Sequence, residues 1–387
     1  MRIVLAPDSF KESMTAPQAA AAMARGVQAV QPDARCVELP LSDGGEGFTD
    51  AVAAALGARV IEVPVHDALG RPVTGHLALG DEVAVLEVAS AVGLDRIARA
   101  ERDVLRADSR GAGELLRAAL DHVRPGGRIV VGLGGSATND GGAGLLVALG
   151  ARLLDADDTE LAPSPGALAA LERVDLSGLD PRLGQVSIRA ACDVTHVLLG
   201  PHGASAVFGP QKGADPAQVK QADAALARLV RTVDAAVSHP GGESPARWAD
   251  EPGAGAAGGL GWALLALCGA RLERGLELVA RTVGLDEAIE GADLVLTGEG
   301  RVDAQSLSGK VPGGVAAHAA RAGVPCLVLA GSVAPDADAL LGSGVSALLP
   351  IVPGVVDLER ALADGPANLE RAVANALRLI DVGAALA

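Results

Sequence analysis

The sequence contains no tyrosine, and Phe, Trp and Tyr together make up only 1% of its 387 residues. Its interior therefore has to be aliphatic, built from Val, Leu, Ile and Ala with Gly allowing close approach. Positive charge is also scarce. The 32 Lys and Arg face 48 Asp and Glu, a net charge of −16, which repels nucleic acid and anionic membrane surfaces. An anionic small substrate would then depend on locally placed cations. Cys36, Cys192, Cys268 and Cys326 lie far apart with no C-x-x-C spacing, and the seven His show no H-E-x-x-H pattern. Both observations argue against a disulfide framework and a zinc site. A strand-like run, Arg2 to Ala6, follows Met1 directly with no leader pattern, so a cytoplasmic protein with reduced thiols is expected. The longest uncharged stretch, 253–270, is broken by six glycines, and its strongly apolar part, Leu260 to Cys268, is too short to cross a bilayer. It reads as a buried helix, and no membrane or nucleic-acid partner is expected.

A length of 387 residues with 49% hydrophobic side chains supports two globular domains. The chain's organising stretch is Arg128 to Gly144, where the β-branched run Ile129-Val130-Val131 empties into Gly132-Leu133-Gly134-Gly135-Ser136-Ala137-Thr138-Asn139-Asp140-Gly141-Gly142 before a helical run near Leu145. Glycines let backbone N–H groups approach an anion, and the first turn of a helix offers unpaired donors with a favourable dipole. An anion is expected there. Gly132-x-Gly134-x-x-Ala137 also fits the relaxed dinucleotide fingerprint, with Asp155 near the position of a ribose-binding acid. No Lys-Ser/Thr pair follows, so it is not a Walker A loop. The extra Ser136, Thr138, Asn139 and Asp140 are more than a bare turn needs and suit a loop that holds phosphate and a hydrated cation.

Other polar loops follow candidate strands. Asp8, Ser9 and Lys11 come after Arg2 to Ala6, ahead of an alanine-rich helix capped by Thr15. Ser42-Asp43-Gly44-Gly45-Glu46-Gly47 follows a strand near Cys36 to Leu39. Its two acids either shape a turn, with Asp43 as an Asx cap, or accept from substrate hydroxyls or hold a divalent cation. Asp193 follows Ala190 to Cys192, and the glycine-rich segment 200–214 after it carries His202 and Lys212. Asp293 to Asp303 is another strand-like run, ending in the acids Glu299 and Asp303, before a helix from about Gly313. Further strands are expected at Val60 to Val65, Val83 to Val88, Pro325 to Gly331 and Val345 to Ile351, a helix within Asp103 to Arg124, and a loop-rich 155–185. The carboxylates Asp8, Asp43, Asp193, Glu299 and Asp303 all fall just past candidate strands, and convergence on one cleft is the natural expectation.

Jointly these motifs resemble the bacterial glycerate kinase family, the type distinct from the larger MOFRL-containing glycerate kinases. The resemblance spans nearly the whole chain and rests on Ala6 to Lys11, Ser42 to Gly47, Gly132 to Gly142, Val207 to Ala214 and Thr297 to Asp303. It implies ATP-dependent, magnesium-assisted phosphorylation of D-glycerate at the 2-hydroxyl. It also implies a Rossmann-like parallel-sheet domain formed by both chain ends (1–65 plus 287–387) and an inserted α/β domain (66–286) carrying the Gly-rich loop. On this reading Asp8, Lys11, Asp193 and Lys212 are catalytic, and Ser9, Asp43, Gly44, Gly45 and Glu46 bind substrate. Gly134, Gly135, Ser136, Ala137, Thr138 and Asn139 hold ATP phosphates, and Glu299 and Asp303 hold magnesium. The sequence departs from the family pattern after Asp193-Val194, where Thr195-His196-Val197-Leu198 replaces a more usual Asn-Pro-Leu run. A dinucleotide-dependent oxidoreductase of small hydroxy acids and a non-catalytic nucleotide-binding module are the alternatives. Carboxylates and selected lysines in the loops favour phosphoryl transfer, because hydride transfer does not need that inventory.

Overall fold

The computed structural model describes residues 1–45, 47–237, 243–307 and 310–386. Its strands are β1 Arg2–Leu5, β2 Arg35–Glu38, β3 Arg59–His66, β4 Pro72–Leu79, β5 Val83–Glu87, β6 Arg128–Gly132, β7 Arg152–Leu154, β8 Arg173–Asp175, β9 Ser187–Ala191, β10 Arg271–Glu273, β11 Leu294–Val302, β12 Cys326–Val333 and β13 Ala347–Pro350. The chain divides into two compact units. A terminal unit comprises Met1–Asp43, Asp50–Ala58 and Arg274–Ala387, and an inserted unit comprises Gly44–Thr49 and Arg59–Glu273. The resemblance sets joints near residues 65 and 286. The contact boundaries fall earlier, because β3 pairs along its whole length with β4, while the helix Gly275–Val283 groups with the terminal unit.

In the terminal unit a five-stranded sheet runs in the order β13-β12-β11-β1-β2, parallel throughout. Short runs such as Ile3-Val4-Leu5 are buried, as strands covered by helices must be. The helix Ala16–Gln28 starts with a capping box in which Thr15 and Gln18 exchange hydrogen bonds. It packs against the helix Gly365–Leu386 so closely that a Cβ on Gly26 would lie 2.5 Å from the Glu370 carbonyl oxygen. Ile3, Leu5, Met23, Leu296, Leu329 and Val373 form the aliphatic core.

The inserted unit holds a six-stranded sheet in the order β10-β9-β6-β5-β4-β3. Its first four strands are parallel, and β3, β4 and β5 form an antiparallel meander. Strand β4 escapes sequence reading because it opens on Pro72 and contains Gly75. That glycine is demanded by packing, since a Cβ there would meet a Leu115 methyl at 2.9 Å. Loop-rich 155–185 contains β8, which pairs antiparallel with β7 in a separate small sheet. The sequence reading assigns nothing to the 21-residue helix Pro216–Ala236, although Asp215-Pro216-x-Gln218 is a complete capping box with proline in the first turn. Leu260–Leu267 is a buried helix, as its composition implies. Among the described residues no helix is long and apolar enough to cross a membrane.

Candidate functional site

In the terminal unit, strand order reverses between β1 and β11, and ligands of open parallel sheets gather at the carboxyl ends of strands flanking such a point. The two strands stay paired beyond β1. Ala6 N–H donates to the Leu296 carbonyl at 2.8 Å and Asp8 N–H to the Gly298 carbonyl at 2.9 Å, while the buried Thr297 hydroxyl donates to the Ala6 carbonyl at 2.7 Å. This pairing brings Asp8 beside Glu299. Asp43 joins them where the chain runs on from β2, fastened by Leu41 N–H on the Pro7 carbonyl at 2.9 Å.

These carboxylates feel one another. Burial first, then the negative charge of Asp43 and more weakly that of Glu299, pushes Asp8 up to about 7, against the Ser9 N–H that donates to its Oδ1 at 2.6 Å. Glu299 is likewise raised, mainly by burial and then by Asp43 and Asp303. The Ser306 hydroxyl donates to its Oε1 at 2.7 Å and Lys310 Nζ stands 3.8 Å from its Oε2, and both oppose the shift. Asp303 is half-buried, with Oδ2 3.9 Å from Arg301 Nε. Lys11 is exposed and forms no ion pair among the described residues. Beside it Glu12 takes a left-handed φ of 62°, an unfavourable conformation for a residue other than Gly, Asn or Asp. Glu46 lies outside the described residues.

In the inserted unit the organising loop follows β6, and its geometry corrects one expectation. The anion at the first turn of the helix Ala143–Ala148 is the protein's own: Asp140 is 0% exposed, and its carboxylate accepts from Gly142 N–H at 3.1 Å and Gly144 N–H at 2.9 Å. It also accepts from the Ser109 N–H and hydroxyl, both at 2.8 Å. No free helix terminus remains for phosphate, and Asp140 is spent on structure instead of a hydrated cation.

The glycine-rich segment before it keeps open donors. Gly134 N–H is committed to the Gly44 carbonyl at 3.2 Å and Ala137 N–H to the Val92 carbonyl at 2.8 Å. The N–H groups of Gly135, Ser136, Thr138 and Asn139 have no acceptor among the described residues. Asn139 is 0% exposed; its amide N–H donates to Ser205 Oγ at 2.7 Å while its Oδ1 has no partner among the described residues. Gly134 is glycine for a packing reason, since a Cβ would lie 2.7 Å from the Gly44 carbonyl oxygen and 2.9 Å from Gly45 Cα. Gly44 and Gly45 thus brace the loop within this unit. On its other side Gly258 presses against the Thr138 carbonyl, where a Cβ would stand 1.9 Å away.

Lys212 completes this cluster. It is 3% exposed, and its Nζ donates to Ser136 Oγ at 3.1 Å and to the Thr138 carbonyl at 2.6 Å. Among the described residues no acid lies in ion-pair contact with it. Burial pulls its pKa down to about 7, opposed by the charge of Asp140. Asp193 is exposed at the end of β9, and His202 is an exposed surface residue. The departing stretch 195–198 is packed in: Leu198 is buried, and the His196 ring meets Phe208 edge-on at 5.2 Å.

The structure thus gathers Asp8, Asp43, Glu299 and Asp303 in the terminal unit, and Gly44, Gly45, Gly134 to Asn139 and Lys212 in the inserted one, to which Asp193 also belongs. Sequence reasoning missed Ser306 and Lys310, although both sit in the polar run that follows β11. It also missed Ser109, which no local pattern links to Asp140. The dinucleotide reading loses its acid. Asp155 accepts from the N–H groups of Asp157 and Thr159, both at 2.9 Å, as a turn former, and the strand before it pairs with β8 instead of lying parallel to β6.

Phosphate fits the unpaired donors and the buried ammonium. No group of three or more His, Cys, Asp and Glu among the described residues could hold a metal alone. Magnesium, however, is usually held by one or two carboxylates together with substrate phosphates. The mutual repulsion among Asp8, Asp43 and Glu299 is what a divalent cation relieves, so the donor set fits that ion.

Comparison with known proteins places these features in one lineage. The profile described as the Glycerate kinase family matches residues 3–381. The chain is 44% identical to the glycerate kinase of Bacillus subtilis over 373 residues, 96% of this chain and 95% of that protein. It is 41% identical to the glycerate 2-kinase of Escherichia coli over 385 residues, 99% of each. The crystal structure of putative glycerate kinase 2 from Salmonella typhimurium LT2 superposes with a TM-score of 0.88 at 42% identity, covering 100% of both chains.

Proposed function

The chain belongs to the glycerate kinase family, and from that premise we propose how its residues divide the work of phosphorylating the 2-hydroxyl of D-glycerate with ATP. The observation that carries the reading is Lys212, a buried ammonium held against a loop in which the N–H groups of Gly135, Ser136, Thr138 and Asn139 have no acceptor among the described residues. A polyanion supplies what both lack.

In this reading Lys212 and the N–H groups of Gly135, Ser136, Thr138 and Asn139 hold phosphate oxygens, with the Ser136 and Thr138 hydroxyls alongside. Ser9, Asp43, Gly44, Gly45 and Glu46 hold glycerate, whose carboxylate is drawn by the exposed Lys11, and Asp193 helps to orient it. Asp8 accepts the hydroxyl proton as the glycerate oxygen bonds to the γ-phosphorus and the bond to the ADP oxygen breaks. Its pKa near 7 suits a base working at neutral pH. Glu299 and Asp303 would hold magnesium, which when bound would supply positive charge to offset that on the phosphoryl oxygens. The proton then leaves Asp8 for solvent, and 2-phosphoglycerate and ADP depart. A cytoplasmic location belongs to the same proposal, supported by four cysteines without a disulfide among the described residues.

Purified protein mixed with ATP, magnesium and D-glycerate tests the reading by ADP release, with the product identified by phosphorus NMR. Glycerate-dependent ADP formation with 2-phosphoglycerate as product is expected. Absence of glycerate-dependent turnover sinks the assignment, and accumulation of 3-phosphoglycerate sinks the choice of hydroxyl.

A further inference from the structure

Asp140 has no place in the chemistry above, yet it is a fully buried acid in the loop that touches Lys212. Its pKa is raised on balance, by burial, against the lowering by the Gly144, Ser109 and Gly142 N–H groups and the Ser109 hydroxyl. All of these neighbours are donors to the carboxylate, and Ser109 Oγ already accepts from Leu145 N–H at 3.0 Å. The ionised carboxylate is therefore the satisfied form, because a protonated one would need an acceptor. Ser109 leads into the helix Arg110–His122 and Gly142 into Ala143–Ala148, so one carboxylate ties two helix starts to the loop. The two helices are in close contact here, as a Cβ on Gly144 would stand 2.4 Å from Arg110 N.

Few charged groups face Lys212. From the adjoining segment Arg102 donates to the Gln211 carbonyl at 3.0 Å, and from the loop come Ser136 Oγ and the Thr138 carbonyl. Asp140 is the acid whose charge favours the ammonium. Behind it lies Asp108, itself pushed up to about 6 by burial and by Asp140.

We propose that Asp140 is a positioning residue of phosphoryl transfer: its buried carboxylate pins the 134–142 loop to two helix starts and serves as the internal counter-charge that keeps Lys212 cationic for the phosphate. The proposal rests on the assignment of Lys212 to phosphate and extends it to a residue that touches no substrate. A surface acid in this role would pair with Lys212 directly and compete with ATP. A carboxylate locked among backbone donors supplies charge without occupying the ammonium's remaining valence.

The chain's lysines are Lys11, Lys212, Lys220 and Lys310, so protein labelled with carbon-13 at lysine Cε gives few signals, each titratable without any assay of turnover. In the parent, the Lys212 signal is expected to titrate near neutrality, well below the others. Asp140→Asn should lower that midpoint by about one unit or more, the size of effect of a nearby opposite charge. It should also lower kcat/KM for ATP about tenfold at pH 8 and much less at pH 6, because kcat/KM follows the charge state of the free enzyme. Ser109→Ala, which loosens the loop but keeps the charge, should leave the midpoint in place. An unmoved midpoint in folded Asp140→Asn overturns the proposal, and so does a parental Lys212 that titrates with the other lysines. If Asp140→Asn does not fold, Lys212→Met decides. Loss of the ammonium should raise the folded pKa of Asp140 further, so the stability gained on acidification should set in at higher pH, and a pH dependence of denaturant unfolding below pH 6 that matches the parent's overturns the counter-charge role. An inactive parent with a normally behaving Lys212 would instead indict the kinase reading alone.

Discussion

The two units treat a buried ionisable group in opposite ways and arrive at the same pKa. In the terminal unit Asp8 is driven up to about 7 by burial and by neighbouring like charge. In the inserted unit Lys212 is driven down to about 7 by burial, with one acid opposing. One cluster is crowded with negative charge and the other is a nearly isolated cation ringed by donors. The lesson is that strand ends of the same α/β type acquire opposite electrostatic characters from what surrounds them, and phosphoryl transfer needs both a proton acceptor and an anion holder.

The comparison is broken most severely at its acidic pole. Asp8→Asn should leave the fold and ATP affinity intact while lowering kcat by about 10² or more, at the low end of general acid–base contributions. In the parent, kcat/KM should fall as pH drops through about 7, because Asp8 must be ionised, and fall again as pH rises through about 7, because Lys212 must be protonated. The narrow optimum that results is checked by steady-state kinetics from pH 5 to 9. Asp8→Asn should abolish the acidic limb. The same variant should be more stable at high pH. A carboxyl whose folded pKa is raised contributes stability at low pH that is lost as pH rises through about 7, so removing its charge should gain on the order of 2 kcal/mol at pH 8 and little near pH 4. Denaturant unfolding at both pH values measures this. Near-parental turnover by folded Asp8→Asn would show that the base lies elsewhere.

A smaller effect is expected at the donor-lined pole. Gly135 has φ of +73°, and its nearest neighbour for a Cβ is Ala89 Cβ at 3.3 Å. Gly135→Val should therefore strain the turn by roughly 1–2 kcal/mol and, by crowding the N–H groups of Gly135 and Ser136, weaken nucleotide binding by about tenfold or more. Titration calorimetry with ADP reads the affinity and thermal unfolding reads the strain. Unchanged affinity in a folded variant would move the cradle away from this loop. Smallest of the three, Asp303→Asn should raise the magnesium concentration needed for half-maximal rate a few-fold while leaving kcat at saturating magnesium close to parental. Asp303 is half-buried and already close to Arg301, so its share of the ion's charge is partial. An unchanged magnesium dependence removes it from the metal-holding pair.

Much of this was legible in the chain because it is local. The strand at Ile129 to Val131, the cap at Thr15, the buried helix at Leu260, Asp8 just past β1 and Asp303 just past β11 are marked by neighbouring residues alone, whereas Glu299, expected past its strand, lies within β11. Lys212 stands between Pro210 and Gly213, which exclude an ordinary exposed helix face. What stayed hidden is long-range. Strand β4 carries a glycine because Leu115, forty residues on, packs there, and Ser109 matters because it bonds an acid 31 residues away.

The sequence by itself determined the α/β alternation, the polar loops at strand ends and, through five ordered motifs, the kinase family. Tertiary structure alone decided which polar residues are consumed internally and which remain available. Asp140 and Asn139 are adjacent in the same polar run, yet Asp140 has its carboxylate filled by four protein donors while the Asn139 side-chain Oδ1 has none among the described residues. The physical reason is that hydrogen-bond satisfaction and desolvation depend on which distant segments fold against a side chain. No periodicity or spacing along the chain encodes those partners.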